Sequence, residues 1–399
     1  MLGEMERLAT GREESIFASD LAARASEIRS RLEDSRIAVI GAAGSIGAAV
    51  VKQILRHSPR ALALFDLSEN NLVELVRDLR SSVGVAVPGD FTAMPIGLGS
   101  IEFDQYFRES TPFQYVFNLS AMKHVRSEKD VYCLIRMIDT NVIFPHEFLT
   151  RLPYPLTRFF SVSSDKATQP ANLMGASKMV MEEVLKHHSN RHSVSSARFA
   201  NVAFSDGSLP YGFLRRMEKG QPISAPRDVK RYFISHQEAG ELCLLAGILG
   251  ENRDVLFPKP QILREAMSFA DIAVGLLELR GYKAVLCGSE AEAKAEAGRL
   301  IPSRQWPCYF FNSDTTGEKM LEEFYTPEDT VDLTRFTAAG VIPGTHPRGE
   351  APSLQAFLDF AVRLKTVQGI SKAEVVEAFK KLVPGLSHVE TGLNLDQRM

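Results

Sequence analysis

Arg36-Ile37-Ala38-Val39-Ile40-Gly41-Ala42-Ala43-Gly44-Ser45-Ile46-Gly47 decides the fold of this chain. A short apolar run leads into G-x-x-G-x-x-G. A helical pattern then follows through Ala48-Ala49-Val50-Val51-Lys52-Gln53-Ile54-Leu55. Strand, glycine turn and helix in that order form a dinucleotide-binding unit. Glycines let the backbone approach a pyrophosphate, and the helix N-terminus supplies N–H donors and partial positive charge. Gly41, Gly44, Ser45, Ile46 and Gly47 are therefore expected at a cofactor. Downstream, Ala61-Leu62-Ala63-Leu64-Phe65 reads as a second strand ending in Asp66, where a carboxylate takes the adenosine ribose hydroxyls. No arginine follows directly to neutralise a 2′-phosphate, so NAD is expected in preference to NADP. Capping of the helix that begins near Ser68 would be compatible with that role for Asp66.

From 36 to about 200 strands alternate with helical patterns. Runs at 36–40, 61–66, 92–97, 114–119, 156–163 and 193–198 read as strands of a parallel sheet. The expected architecture is α/β: a Rossmann-type doubly wound parallel sheet with a smaller C-terminal substrate-binding lobe. Residues 1–34 form a helical extension that packs on the body or on a second subunit, and 35–200 the nucleotide-binding domain. Residues 201–345 form mainly the lobe, with a helix at 236–250 returning to the body. Residues 346–399 carry helices at 353–366 and 371–382 and a polar tail.

The composition narrows the function classes. With 399 residues, 45% of them hydrophobic, the chain can bury one large body and a smaller lobe. A net charge of −3 without a basic tract argues against nucleic acid as partner. Cys133, Cys243, Cys287 and Cys308 are scattered, which favours a reducing compartment and no zinc site. The N-terminus is polar rather than signal-like, and no apolar run reaches spanning length, so a soluble, cytoplasmic protein without a membrane partner is expected.

Chemistry concentrates in 161–178. Ser164, Asp165 and Lys166 follow the apolar run 158–162, and an adjacent acid and amine at a strand end can protonate a leaving group and remove a carbon-bound proton. Met174 and Lys178, four apart, share a helix face. Asn118, Ser120 and Ala121 end the fourth strand, where a bound nicotinamide would pass. Lys123, His124 and Arg126 come next and either grip a diphosphate or form a solvated turn. His124 has no partner ligand at metal spacing. Asn141 is a candidate on the substrate side, where it holds backbone or water in a proton relay, or else is a satisfied helix asparagine. Asn201, Ser208 and Arg231 are further candidates for a nucleoside diphosphate, and Arg198 is a candidate charge for it.

Taken in order, these motifs resemble extended short-chain dehydrogenase/reductases, specifically the polysaccharide-biosynthesis branch that contains UDP-N-acetylglucosamine 4,6-dehydratases. The likeness spans roughly 36–340. It rests on the three glycines, Leu64-Phe65-Asp66, Ala121-Met122-Lys123-His124-Val125, Thr140-Asn141-Val142 and Ser164-Asp165-Lys166-Ala167. Asn172 to Lys178, Arg198 to Val202 and Lys230-Arg231-Tyr232-Phe233 continue it, and the tail 390–397 looks like endings in that branch. The resemblance implies tightly held NAD, a UDP-sugar substrate and a hydro-lyase reaction with Lys166 as base, Asp165 as acid and Ser164 near sugar O4. A homo-oligomer is also expected. Three departures stand out. Met174 occupies the position of the superfamily's tyrosine and cannot exchange a proton, so that work passes to Asp165 or Ser164. Gly97-Leu98-Gly99-Ser100 replaces a carboxylate, and Thr315-Thr316-Gly317-Glu318-Lys319 lacks the family's arginine. A C4-epimerase, a C5-inverting dehydratase and a non-catalytic dinucleotide sensor remain the alternatives.

Overall fold

The computed structural model describes residues 3–263, 266–313, 322–344, 352–366 and 368–388. The Thr315–Lys319 motif and the tail 390–397 lie outside the described residues. Its centre is an eight-stranded sheet. Six strands come from the first half: β1 (Arg36–Ile40), β2 (Ala61–Phe65), β3 (Asp90–Met94), β4 (Tyr115–Asn118), β5 (Arg158–Val162) and β6 (Val194–Ala197). They lie in the order β6-β5-β4-β1-β2-β3, all parallel. Strands β1, β2, β4 and β5 are almost wholly buried, so they are near-continuous apolar runs rather than alternating ones. Strand β3 starts two residues earlier and ends three earlier than the run 92–97, and it stops at Met94 because Pro95 follows and has no N–H for the ladder.

Two more strands extend the sheet beyond β6: Asp254–Pro258, parallel to β6, and Ala339–Ile342, antiparallel at the edge. Both come from the stretch 201–345 assigned above mainly to the lobe, and that boundary is corrected. Val255, Leu256 and Phe257 are buried, the last two in the main core, which outweighs the proline-rich surroundings that suggested an irregular segment.

Helices α1 (Glu4–Thr10), α2 (Ala18–Leu32), α3 (Ser45–Leu55), α4 (Glu69–Ser81), α5 (Ile101–Glu109), α6 (Val131–Ile138), α7 (Phe144–Arg151) and α8 (Leu173–His188) follow in chain order. The helix expected at 236–250 is α-helical over His236–Leu244 and widens into a π-turn over Leu245–Leu249. The lobe has its own three-stranded parallel sheet, Lys283–Leu286, Gln305–Phe311 and Ile223–Pro226, around Trp306, Phe213 and Leu276. The N-terminal extension packs within the chain and bridges both units. Ala9 lies in the lobe core, and Ile28 and Leu32 in the main core. Between them Arg12 donates a fork to Glu238, at 3.0 and 2.7 Å, and a further bond to the Phe233 carbonyl. At the other end, helices Pro352–Arg363 and Lys372–Leu382 close an apolar cluster over α6 and α8 through Phe357, Leu358, Val375 and Phe379.

Candidate active site

Register brings Ile40 beside Asn118 and Asn118 beside Ser161, so β1, β4 and β5 end along one edge. The glycine turn lies there. Gly41 has φ of 72°, and a Cβ on it would stand 2.8 Å from the Ser120 backbone nitrogen; one on Gly47 would stand 2.0 Å from the Gly41 carbonyl. Those two glycines are demanded by the chain's own packing. Gly44 meets only ordinary contact at 3.6 Å, so its lack of a side chain fits close approach of a pyrophosphate to the α3 N-terminus. Asp66 stands beside this turn. Its Oδ2 accepts from the Ala43 N–H and its Oδ1 from the Ser68 N–H, each at 2.9 Å. The turn and its carboxylate thus fit a dinucleotide on this chain's own geometry.

Asn118 is buried, donates to the Ser161 hydroxyl at 3.1 Å and accepts from the Ser120 hydroxyl at 2.6 Å. Ala121 follows, half-buried. Asn141 sits in a π-turn, Asp139–Ile143. Its amide accepts from the Met122 N–H and donates to the Met122 carbonyl and the Ser177 hydroxyl, all at 2.9 Å. The expectation that Asn141 contacts substrate is therefore corrected. It is buried, and its amide is occupied in holding the loop after β4 against α8.

The acid–amine pair closes β5. Ser164 caps one tight turn, Asp165–Ala167; its hydroxyl accepts from the Lys166 N–H at 3.2 Å and donates to Asp165 Oδ1 at 2.7 Å. Lys166 Nζ lies 3.2 and 3.3 Å from the two Asp165 oxygens. Asp165 is 4% exposed, whereas the Lys166 side chain keeps 31% of its surface. The α8 N-terminus lies directly on this turn, because a Cβ on Gly175 would stand 2.3 Å from the Lys166 carbonyl. Met174 is buried in the apolar cluster with α6 and the C-terminal helices, as a packing residue. Lys178 is buried and donates to the Val162 carbonyl at 3.0 Å; burial pushes its ammonium down to about 8, against the pull of Glu182.

Several participants carried no sequence signal. Glu128, buried, accepts from the Met174 N–H at 2.9 Å and so caps the helix that bears Lys178. Glu182 takes a two-pronged bond from Arg198, at 2.9 and 2.6 Å, and one from the Ser163 hydroxyl at 2.6 Å. Burial alone would raise the Glu182 carboxyl, but Arg198 holds it below the ordinary value. Arg198 also donates to the Thr168 hydroxyl at 3.0 Å and the Phe324 carbonyl at 2.9 Å. It is a structural brace behind the acid–amine turn, not the substrate charge suggested by its sequence position.

Two residues before Phe324, Glu322 accepts from the Tyr232 N–H at 2.7 Å and from the Asn201 amide, and lies 3.9 Å from Arg231 Nε. Asn201 and Arg231 are thus both turned to Glu322, and Arg231 is buried and donates to the Lys230 carbonyl at 2.8 Å. Burial and the nearby Asp165 charge push Glu322 up to about 7, opposed by Lys166 and Arg231. Ser208 caps the helix Leu209–Glu218 and remains half-exposed. Lys123 and His124 are exposed at the rim; the surrounding protein lowers the Lys123 ammonium while Asp206 opposes. Gly207, with φ of 72°, packs against the His124 ring, where a Cβ would approach to 2.8 Å. The Asp206 N–H donates to Ser45 Oγ at 2.9 Å and so ties this rim to the glycine turn. Among the described residues no cluster of His, Cys, Asp and Glu is arranged to hold a metal.

A family model described as polysaccharide biosynthesis protein matches residues 37–342. The chain belongs to that family. Its fold is that of an extended short-chain dehydrogenase/reductase. Curated relatives include "Uncharacterized membrane protein MJ1061" of Methanocaldococcus jannaschii, 28% identical over 77% of this chain and 85% of that protein. "Probable polysaccharide biosynthesis protein EpsC" of Bacillus subtilis is 28% identical over 84% of this chain and 52% of its own length. The chain thus spans about half of that relative. A UDP-glucose 4-epimerase of Rickettsia typhi is 24% identical over 63% of this chain and 72% of its own. Among solved structures, Pen from Bacillus thuringiensis superposes with a TM-score of 0.63 at 20% identity, covering 89% of this chain and 98% of that one. Among the described residues no helix is long and apolar enough to cross a membrane.

Proposed function

We propose that the protein is an NAD-dependent nucleotide-sugar 4,6-dehydratase acting on UDP-N-acetylglucosamine or a close relative. The observation that carries this reading is the buried Asp165 in contact with Lys166 at the carboxyl end of β5. NAD held by the glycine turn, Asp66 and Lys178 would supply reversible hydride removal from sugar C4 and its return at C6. The residues of the chain handle the protons. A ketone at C4 acidifies H5, which the Lys166 amine removes; the electrons form the C5–C6 double bond as the C6–O bond breaks. Asp165 protonates the departing hydroxyl, which leaves as water. At rest the pair holds its single mobile proton on Lys166, the wrong member. Its transfer across the 3.2 Å contact makes a neutral amine and a neutral acid at once. After elimination the pair is again an ion pair. Lys166 then returns a proton to C5, and the proton released from O4 on oxidation makes good, through solvent, the one lost with water.

A C4-epimerase shares the hydride step, and several relatives are named UDP-glucose 4-epimerase. It needs no acid–base pair at C5 and C6, so Asp165-Lys166 favours the dehydratase. Incubation with UDP-N-acetylglucosamine and NAD is the test. Product lighter by one water supports elimination, and an isomer of unchanged mass supports epimerisation.

Two further outcomes follow for the cofactor and the missing tyrosine. Wild-type protein binds NAD more tightly than NADP, because Asp66 repels a 2′-phosphate. Asp66→Ala narrows that ratio in a direct binding titration. Equal loss for both cofactors would reduce Asp66 to a support of the glycine turn. Met174→Leu, a volume-conserving exchange in the core, costs less than about 1.5 kcal/mol and leaves turnover measurable. A loss as severe as that of Lys178→Ala would give Met174 a role beyond packing.

A further inference from the structure

Three contacts tie the C-terminal helices and the residues after them to the walls of the site. Lys365 Nζ lies 2.9 Å from Asp139 Oδ1, in the π-turn whose Asn141 holds Met122 and Ser177. The Ser387 N–H donates to the Pro170 carbonyl at 3.3 Å, just beyond the acid–amine turn. His388 Nδ1 lies 3.8 Å from Glu128 Oε2, a charge contact rather than a hydrogen bond. Between these points Phe357, Phe379 and Leu386 share one buried apolar cluster with Leu173 and Met174. Glu128 faces both ways. Its other oxygen, Oε1, accepts from the Met174 N–H at 2.9 Å, while Asn172 Oδ1 accepts from the Gly175 N–H at 2.8 Å. These two acceptors satisfy N–H groups that the first turn of α8 cannot pair within the helix. The same turn is the part of α8 pressed on the Lys166 carbonyl. The side chains of Glu128 and His388 are each only 8% exposed, so water cannot replace a partner that is removed.

We propose that His388 is a positioning residue of the active site: by fixing the Glu128 carboxylate it sets the first turn of α8 against the acid–amine turn. That role rests on the dehydratase reading and adds the C-terminal helices to its machinery. Without His388, Glu128 is a buried carboxylate that has lost its partner, and it turns toward solvent or takes up a proton. Either change loosens its hold on the Met174 N–H. The first turn of α8 then shifts on the Lys166 carbonyl, where the packing at Gly175 leaves no room for a methyl group. Asp165 and Lys166 lie on the turn that receives this shift. Lys178 is anchored separately on the Val162 carbonyl, and Asp66 on the glycine turn, so the cofactor side stays in place. An offset of about 1 Å between reacting groups costs up to about a hundredfold in rate, and a smaller shift is read as about tenfold.

The experiment compares wild type with His388→Leu, with Glu128→Gln, which keeps an acceptor for the Met174 N–H without the charge, and with the double variant. Water loss from UDP-N-acetylglucosamine gives kcat and KM, and a direct titration gives NAD affinity. Hydrogen exchange with NAD bound follows the Met174 amide against the Gly175 amide, which Asn172 holds independently. His388→Leu is expected to lower kcat about tenfold with KM and NAD affinity unchanged, and to speed exchange at Met174 but not at Gly175. The double variant is expected to match Glu128→Gln in both readings, because His388 then has no charge to hold. Unchanged kcat or unchanged Met174 exchange in His388→Leu overturns the inference, as does an additive loss in the double variant. A fall in kcat that comes with equal loss of NAD binding and of protection at Gly175 also overturns it, since that is general loosening of the fold. If wild type itself releases no water, the dehydratase reading fails, and exchange at Met174 alone then decides whether His388 holds α8.

Discussion

Asp165→Asn slows C6–O cleavage by about two to four orders of magnitude, the usual cost of losing a general acid or base, while NAD binding is retained. The substitution keeps the shape of the side chain and its bonds to Ser164 and the tight turn but removes the proton that must reach the leaving hydroxyl. Lys166→Met abolishes H5 removal for the complementary reason. It leaves the cofactor site intact because the half-exposed tip of Lys166 is engaged with Asp165. Product formed by wild type in D2O carries deuterium at C5, since the Lys166 ammonium exchanges with solvent before returning a proton, whereas hydrogen from C4 reappears at C6. Product without deuterium at C5, or a Lys166→Met enzyme at wild-type speed, refutes this chemistry and restores the epimerase and sensor readings.

Arg198→Met destabilises the fold by about 3–5 kcal/mol, the cost of leaving one charge of a buried pair without its partner. Glu182 is 3% exposed and takes both prongs of the guanidinium, so it would remain buried and anionic or be forced to take up a proton. The same substitution removes the bonds to Thr168 and Phe324, so the acid–amine turn and the Glu322 segment lose a common brace. Thermal unfolding with bound NAD measures the effect. Adding Glu182→Leu to Arg198→Met recovers much of the loss, because the stranded charge is gone, although the Ser163 hydroxyl then lacks its acceptor. A single variant as stable as wild type would show that the pair contributes nothing.

Much of the scaffold was legible because its signals are local. The apolar run before Gly41, the glycine spacing, and Phe65 followed by Asp66 specify a strand, a turn and a carboxylate beside that turn within a few dozen residues, and β1, β2 and α3 form there. Ser164-Asp165-Lys166 was legible too, since a capping serine and an acid–amine pair adjacent in sequence must be adjacent in space. The second lobe was less so. Strands Asp254–Pro258 and Ala339–Ile342 find their places only through partners far along the chain, and their short apolar runs fit a lobe as well as a sheet edge.

What the sequence by itself determined is the nucleotide-binding unit and the identity of the acid–amine pair, because each depends on spacing within one turn or one strand. Tertiary structure alone decided how the remaining charges are disposed. Asn141 became a clamp on Met122, Arg198 a brace for Glu182, and Glu322 an acceptor for the Asn201 amide across more than a hundred residues of chain. The reason is physical: a buried charge takes its role from whichever partner the fold brings within hydrogen-bonding or Coulomb range, and no local pattern records that partner.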